Sequence, residues 1–428
     1  MPTGTALSIT GALVLTPLAV LTAFRPLRSV ILFTLLAPFA NVAVWLGWDP
    51  RLYWGLMLGI RVLWERACGE QRRNLVSGTV LLAWSLFCLV VACVLYGSGA
   101  DLTSEDSAAA LSLFLYFVAA SMFLFALLQF VAGDRQLNTV LRYCAAAALV
   151  VSLYAVWQAI TTYGMGSTER ISASLDNPNY LATNLALAST GFLLVARRQR
   201  DRTSVVFFRG CAVAALLGTA LTLSRAGIAS VLLGWLLVYA TRSGRIDYRK
   251  ALLVFAVVAL MAGAGAGAYL FNFRQQITFS EDPSKADLAD VIQSGEDLSR
   301  LEAALYAVQL IGEHPVLGSG FATFPARNYY ANGFYVTTHN TWLELLAGTG
   351  AVGTILLGTL LWSLARGLRK PGRILYLPVA GCFLVSSLFG DYLQSIDVIV
   401  ILAVMYVFSW HQTGANFVPA RKAVEVEG

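Results

Sequence analysis

VVFFRGCAVAALLGTALTLSRAGIASVLLGWLLVYA, residues Val205 to Ala240, is two apolar runs with one short polar break between them. Each run approaches the roughly 20 residues that carry a helix across about 30 Å of hydrocarbon. The break, Thr222 to Gly227, allows only a tight reversal, so the pair reads as a helical hairpin through a bilayer with Arg225 at its tip. Lipid offers no water to backbone polar groups, and a helix satisfies them internally. The rest of the chain repeats this pattern: its 428 residues are 57% hydrophobic and only 13% charged. A soluble chain of that length needs far more charge to cover its surface.

Working outward, further apolar runs lie at 6–24, 29–48, 75–96, 108–132, 137–161, 181–196, 251–271, 340–363, 374–389 and 394–410. The expected fold is an all-α polytopic membrane protein of about 12 transmembrane helices, with one large external loop carrying an amphipathic helix. Residues 1–271 hold the first nine spans, 272–339 the large loop, 340–410 the last spans and 411–428 a tail, all within one integral membrane domain. The stretch 52–64 is short and contains Arg61, so it reads as an interfacial helix rather than a crossing.

Arginine and lysine give the orientation. They collect at Arg66, Arg72 and Arg73, at Arg197 to Arg202, at Arg242 to Lys250 and at Arg366 to Arg373, in register with the spans. Those connections, and the C-terminus, are expected to be cytoplasmic; loops 162–180 and 272–339 face the other side. The net charge of +6 then needs no nucleic acid partner to explain it. Five of the six cysteines fall inside expected spans, so no disulfide framework is implied. The N-terminus lacks a basic segment and a small-residue cleavage site, and the first span is expected to be retained.

In such a chain function is sought where polar groups gather. Ser299 and Glu302 have capping-box spacing, and Leu301, Ala304, Leu305, Val308 and Ile311 follow at helical intervals. This is the amphipathic helix, ended by His314-Pro315 and followed by a turn through Gly318 and Gly320. Thr341 and Glu344 have the same spacing and would start a membrane helix near Thr341. His339 then lies before a helix N-terminus, whose positive end disfavours imidazolium and leaves the ring ready to accept a proton. The alternative is ordinary polar punctuation of an interface by His339 and Asn340. Arg225 is either a snorkelling arginine or a guanidinium that grips a phosphate through two parallel hydrogen bonds. Arg170 and the turn Asp176-Asn177-Pro178-Asn179 lie on the same face, as does Arg300 at the head of the amphipathic helix. Several cations and one histidine beside apolar spans suit a substrate with an anionic head and a lipid tail.

No GxxxxGK[ST], HExxH or GxSxG motif is present, so ATP-driven transport and zinc or serine hydrolysis lack support. Gly263 to Ala268 reads as close helix packing, and Asp397 as an acid lining the bundle interior.

The segment RLEAALYAVQLIGEHPVLGSGFATF, followed by HNTWLELLAGTGAVG, resembles the signature region of the bacterial O-antigen ligase and polymerase superfamily. DNPNYLA and LSRAG are similar to its two upstream motifs, in order. The resemblance implies an inner-membrane enzyme of about twelve spans with a periplasmic loop. It implies transfer of a glycan from an undecaprenyl-pyrophosphate donor to an acceptor hydroxyl, without a metal or other cofactor. On that resemblance His339 corresponds to the proposed general base, and Arg225 and Arg300 to arginines that hold the pyrophosphate; Arg170, Asn179 and Asn340 are further expected substrate-binding residues. Lipid A-core as acceptor would make the protein a ligase, and another lipid-linked glycan a polymerase; the ligase is the preferred reading. A lipid-linked sugar transporter is the competing class, set against by polar residues that gather at one face rather than at the midplane. One departure is Ala347-Gly348-Thr349-Gly350, where relatives often carry an acid or amide; Gly348 is expected to loosen the helix there.

Overall fold

A computed structural model describes residues 4–39, 49–68, 78–98, 102–164, 170–175, 177–242, 245–246, 302–333, 335–368, 370–393 and 395–412. The expected span 251–271, the loop 272–301 and the tail beyond 412 lie outside the described residues. The described residues form helices joined by short loops, with one ladder of Thr241–Arg242 (β1) against Arg245–Ile246 (β2).

In chain order the helices are α1 (Gly4–Phe24), α2 (Pro26–Leu36), α3 (Pro50–Ala67), α4 (Gly78–Ser98), α5 (Ser104–Phe130), α6 (Asp134–Gly164), α7 (Pro178–Ala196), α8 (Arg202–Leu221) and α9 (Arg225–Ala240). There follow α10 (302–313), α11 (Phe324–Asn332), α12 (Thr341–Gly367), α13 (Lys370–Ser387) and α14 (Ile396–His411). Six described helices are long and apolar enough to cross a membrane: α4 to α8 and α12. Helices α2, α9 and α14 are apolar but shorter. This is a polytopic helical membrane protein.

Helix α7 runs through the middle of the bundle, almost wholly buried, against α8, α9, α13 and α14. Lipid tails are as apolar as leucine, so close packing and hydrogen bonds have to hold such helices together. Gly227 and Gly234 let α9 lie directly on Ala182 and Thr190 of α7, and a Cβ at either glycine would collide with them. Trp235 donates to Ser189 (3.0 Å), and Ser230 and Ser386 share a 2.8 Å hydrogen bond that ties α9 to α13. Asn184 donates to Asp397 (3.3 Å), tying α7 to α14. Asp397 is buried in the bundle, as the sequence suggested.

The stretch 52–64 lies inside the 18-residue α3. That helix runs parallel to α5 along its length: Gly55 meets Ala119, Gly59 meets Met122, and Glu65 accepts from Gln129 (3.3 Å).

These registers set the geometry that matters for function. Helices α7, α9, α12 and α14 all begin at one end of the bundle, so four helix N-termini converge there. Arg197, Arg198, Arg242, Arg366 and Arg373 lie at the other end, where α7, α9 and α12 finish.

Candidate functional site

The first part of the site is the junction of α7 and α9. Asn177 caps α7, its side chain accepting from the backbone N–H of Asn179 (2.8 Å) and Tyr180 (3.4 Å), and Pro178 takes the first helical position. An Asn cap followed by proline is a strong helix start. It frees the Asn179 side chain, whose Oδ1 accepts from Arg170 Nη2 (3.1 Å) and from Ser224 Oγ (3.0 Å). Arg170 Nε also donates to the Thr222 carbonyl (3.3 Å). Ser224 caps α9, and Arg225 follows, exposed and with no bonding partner among the described residues. The two upstream motifs therefore form one hydrogen-bonded unit, in which Arg170 and Asn179 tie the start of α7 to the start of α9, where Arg225 follows the cap. Such ends attract anions.

The second part is the start of α12. Here the structure corrects the capping box read from Thr341 and Glu344. Asn340 is the cap, accepting from Trp342 N (3.0 Å) and Leu343 N (3.0 Å). Glu344 falls one position too far along to pair with such a cap. Its buried carboxylate instead accepts from the Thr338 N–H (3.0 Å) and lies 3.0 Å from the Thr338 hydroxyl. Thr341 donates to the Gly390 carbonyl (2.5 Å) and accepts from Tyr392 N (3.2 Å). His339, half-buried, is clamped between Thr338 and Asn340 in a left-handed conformation with φ of 52°.

That backbone is uncommon for a residue with a Cβ. Among the described residues three other non-glycines share it: Ala173, Leu223 and Ala322. One precedes DNPNY, one sits in LSRAG, one in GFATF, and His339 in HN. Backbone strain of this kind costs of order 1–3 kcal/mol and gathers at functional sites.

The third part is a broken helix. Gly350 interrupts α12 with φ of 60° and ψ of −167°. The departure from helical geometry thus falls at Gly350, two residues beyond the glycine expected to loosen the helix. Segment 315–320 docks into the gap. Ser319 N donates to the Ala347 carbonyl (2.9 Å) and Gly320 N to that of Gly348 (3.0 Å). In return Ala351 N donates to Pro315 O (2.9 Å) and Val352 N to Val316 O (3.0 Å). A Cβ on Gly318 would stand 2.5 Å from the Gly348 carbonyl, which is why this turn uses glycine. The turn itself was legible: α10 ends before His314-Pro315, and Gly318 and Gly320 have φ of 76° and 116°.

Helix α10 has two unlike faces. Ala303, Ala307 and Leu310 are buried against Phe324 and Ala347, while Leu305 and Val308 of the expected stripe are 62% and 59% exposed. Small residues face the broken helix because only they allow so close an approach. After the turn, Phe321 packs on Phe114 and Phe117 of α5, and the Tyr330 hydroxyl donates to Asp106 (2.6 Å). Arg300 and Ser299 lie outside the described residues.

Several residues not singled out from sequence join the parts. Tyr392, fully buried, meets Thr341 through its backbone and packs edge-on against Tyr180 (5.4 Å between ring centroids), next to Asn179. Asp391 and Glu344 are buried close to Tyr180. A cavity of about 230 Å³ adjoins this cluster, lined by Arg51, Tyr116, Tyr180, Ser395 and Asp397 among others. Arg51 is held there by Asp49 (2.6 Å) and the Ala37 carbonyl (2.7 Å). Polar Asp391 and Tyr392 between two apolar runs were the one sequence signal available for this connection. No group of three or more metal-ligating side chains forms among the described residues.

Residues 210–358 match the family model described as O-antigen ligase. The match takes in Arg225, Arg300, His339 and Asn340, and begins beyond Arg170 and Asn179. No curated protein matches the chain.

Proposed function

From the premise that residues 210–358 are an O-antigen ligase region, which supports the O-antigen ligase and polymerase superfamily, we propose that the protein transfers an undecaprenyl-pyrophosphate-linked glycan to an acceptor hydroxyl. His339 is the general base. It takes the proton of the acceptor hydroxyl, whose oxygen attacks the anomeric carbon while the bond from that carbon to the pyrophosphate oxygen breaks. Attack opposite the leaving group inverts the anomeric centre. Undecaprenyl pyrophosphate departs, its charge met by Arg225, Arg170 and Arg300 and by the N-termini of α7 and α9, a charge-stabilising role. Asn179 orients Arg170, and Asn340 fixes the turn that carries His339.

The observation that carries this reading is the convergence at one bundle end of the strained histidine, the exposed Arg225 and the capped helix starts. On this reading that end faces the periplasm of a bacterial inner membrane and the arginine-rich end and C-terminus face the cytoplasm. The chain carries about twelve spans or one more, since the parallel packing of α3 on α5 favours a crossing for 52–64. The apolar face of Leu305 and Val308 lies toward lipid and brings a membrane-bound acceptor to the site, which favours lipid A-core and hence a ligase.

The test is the envelope glycan profile of a deletion strain complemented with wild type or His339→Ala. Long chains stranded on undecaprenyl pyrophosphate, in the deletion and the variant alike, are expected. Single repeat units would make the protein a polymerase. An unchanged profile would overturn both and favour transport of the lipid-linked sugar. With purified protein, His339→Ala is expected to slow transfer by about 10²- to 10⁴-fold.

A further inference from the structure

At the end of the bundle away from His339, a cavity of about 320 Å³ opens between the α1–α2 turn, the last turns of α3 and α5, and the start of α6. Arg25, Arg28 and Arg61 line it, and Glu65 is its one acid. Glu65 is already engaged: it is buried and bonded to Arg61 (2.9 Å) and Gln129 (3.3 Å). Arg25 and Arg28 are exposed and have no bonding partner among the described residues. The Arg61 Nε–H is buried with no acceptor. The first turn of α2 adds backbone N–H groups that no side chain caps. Two surplus positive charges and an open helix N-terminus therefore face one space of ligand size, with Arg61 in its wall.

The rim of that space is apolar. Phe24 lines it and is 78% exposed, and Ile60 and Trp64 form an exposed apolar stripe on α3 next to Arg61 and Glu65. A free inorganic anion would gain nothing from such a rim. A phosphate carried on acyl chains gains from both parts, and basic pockets between membrane helices bind acidic headgroups in this way.

We propose that this cavity binds the phosphate of an anionic phospholipid headgroup, with the acyl chains against Phe24, Ile60 and Trp64. Arg25 and Arg28 provide the charge, and Arg61, held by Glu65, adds a third guanidinium to the wall. The site is remote from the transfer chemistry and holds whichever acceptor the protein uses.

The experiment uses the full chain, purified in detergent and titrated by native mass spectrometry with phosphatidylglycerol, phosphatidylcholine or inorganic phosphate. Retention of phosphatidylglycerol over phosphatidylcholine is expected, with about thirty-fold weaker retention in R25Q/R28Q, at roughly 1 kcal/mol for each arginine. Both positions are exposed, so the double variant should fold; Arg61→Gln, which keeps the stem of the side chain, should weaken retention independently. Equal retention of the two lipids, or phosphatidylglycerol binding untouched by R25Q/R28Q, overturns the proposal. Inorganic phosphate binding lost in R25Q/R28Q without lipid preference would also overturn it, by making the site one for free anions.

Discussion

Arg373 and Arg225 sit at opposite ends of the bundle and in opposite electrostatic settings. Arg373 lies in the first turn of α13, but its guanidinium reaches across to the carbonyls that end α12, at Ala365 (2.9 Å), Leu368 (2.9 Å) and Arg366 (3.4 Å). Arg197, the C-cap of α7, likewise donates to the Val238 carbonyl near the end of α9. A cation over helix carbonyls is where the dipole favours it. Arg225 instead opens α9, at the end where a cation is disfavoured, and no bonding partner among the described residues compensates. On the proposed function, the pyrophosphate of the donor supplies the missing anion when it binds. Arg25 and Arg28 stand in a similar setting at the start of α2, at the other end of the molecule.

The comparison breaks most visibly through paired substitutions. Arg225→Ala is expected to reduce glycan transfer about 10²-fold and to leave the thermal midpoint in detergent unchanged or slightly raised. Arg373→Ala should do the reverse, leaving transfer intact and costing about 1–2 kcal/mol of stability. If both variants lose stability alike and transfer alike, the two arginines have one role. Next in size, Gly350→Ala forces a side chain into a left-handed backbone against the Val316 carbonyl. It should cost about 1–3 kcal/mol and slow transfer, and proteolysis between α10 and α12 would report the released segment. Asn340→Ala should cost about 1 kcal/mol, with Asn340→Ser restoring most of it; equal loss in both would mean that the amide has another duty. The smallest effect is a labelling pattern. If α3 crosses beside α5, a cysteine at Tyr53 in a chain otherwise free of cysteine reacts with an impermeant maleimide from the His339 side. Reaction only after the cell is opened would return α3 to the interface.

Much of this was readable beforehand, for a physical reason. A membrane span must be a long apolar helix, so α4 to α8 and α12 announce themselves by composition. Polar residues there are costly, so the loops at Arg170, Arg225 and His339 stood out. What failed had a common cause. Helical spacing finds the stripe of Leu305 and Val308 but not the opposite face, where Ala303 and Ala307 pack inward on partners far along the chain. The cap at Asn340 was hidden because Thr341 is an equally good cap by type. The break at Gly350 and the role of Tyr392 depend on partners far along the chain, 315–320 and Tyr180. Spacing along one segment carries no trace of those.

The clasp between 315–320 and the break in α12 also makes a module. The chain leaves α12 at Gly348, by way of its bonds to Ser319 and Gly320, and rejoins the same helix at Asn340. Those two anchors are fixed about 12 Å apart by two turns of helix. Everything from Phe321 to Thr338 is therefore a closed loop on one rigid spindle. Lengthening such a loop costs only about 0.6 kcal/mol for each doubling. On the proposed function, changes in this loop short of Thr338 alter what reaches the histidine while the clamp of Thr338 and Asn340 stays in place.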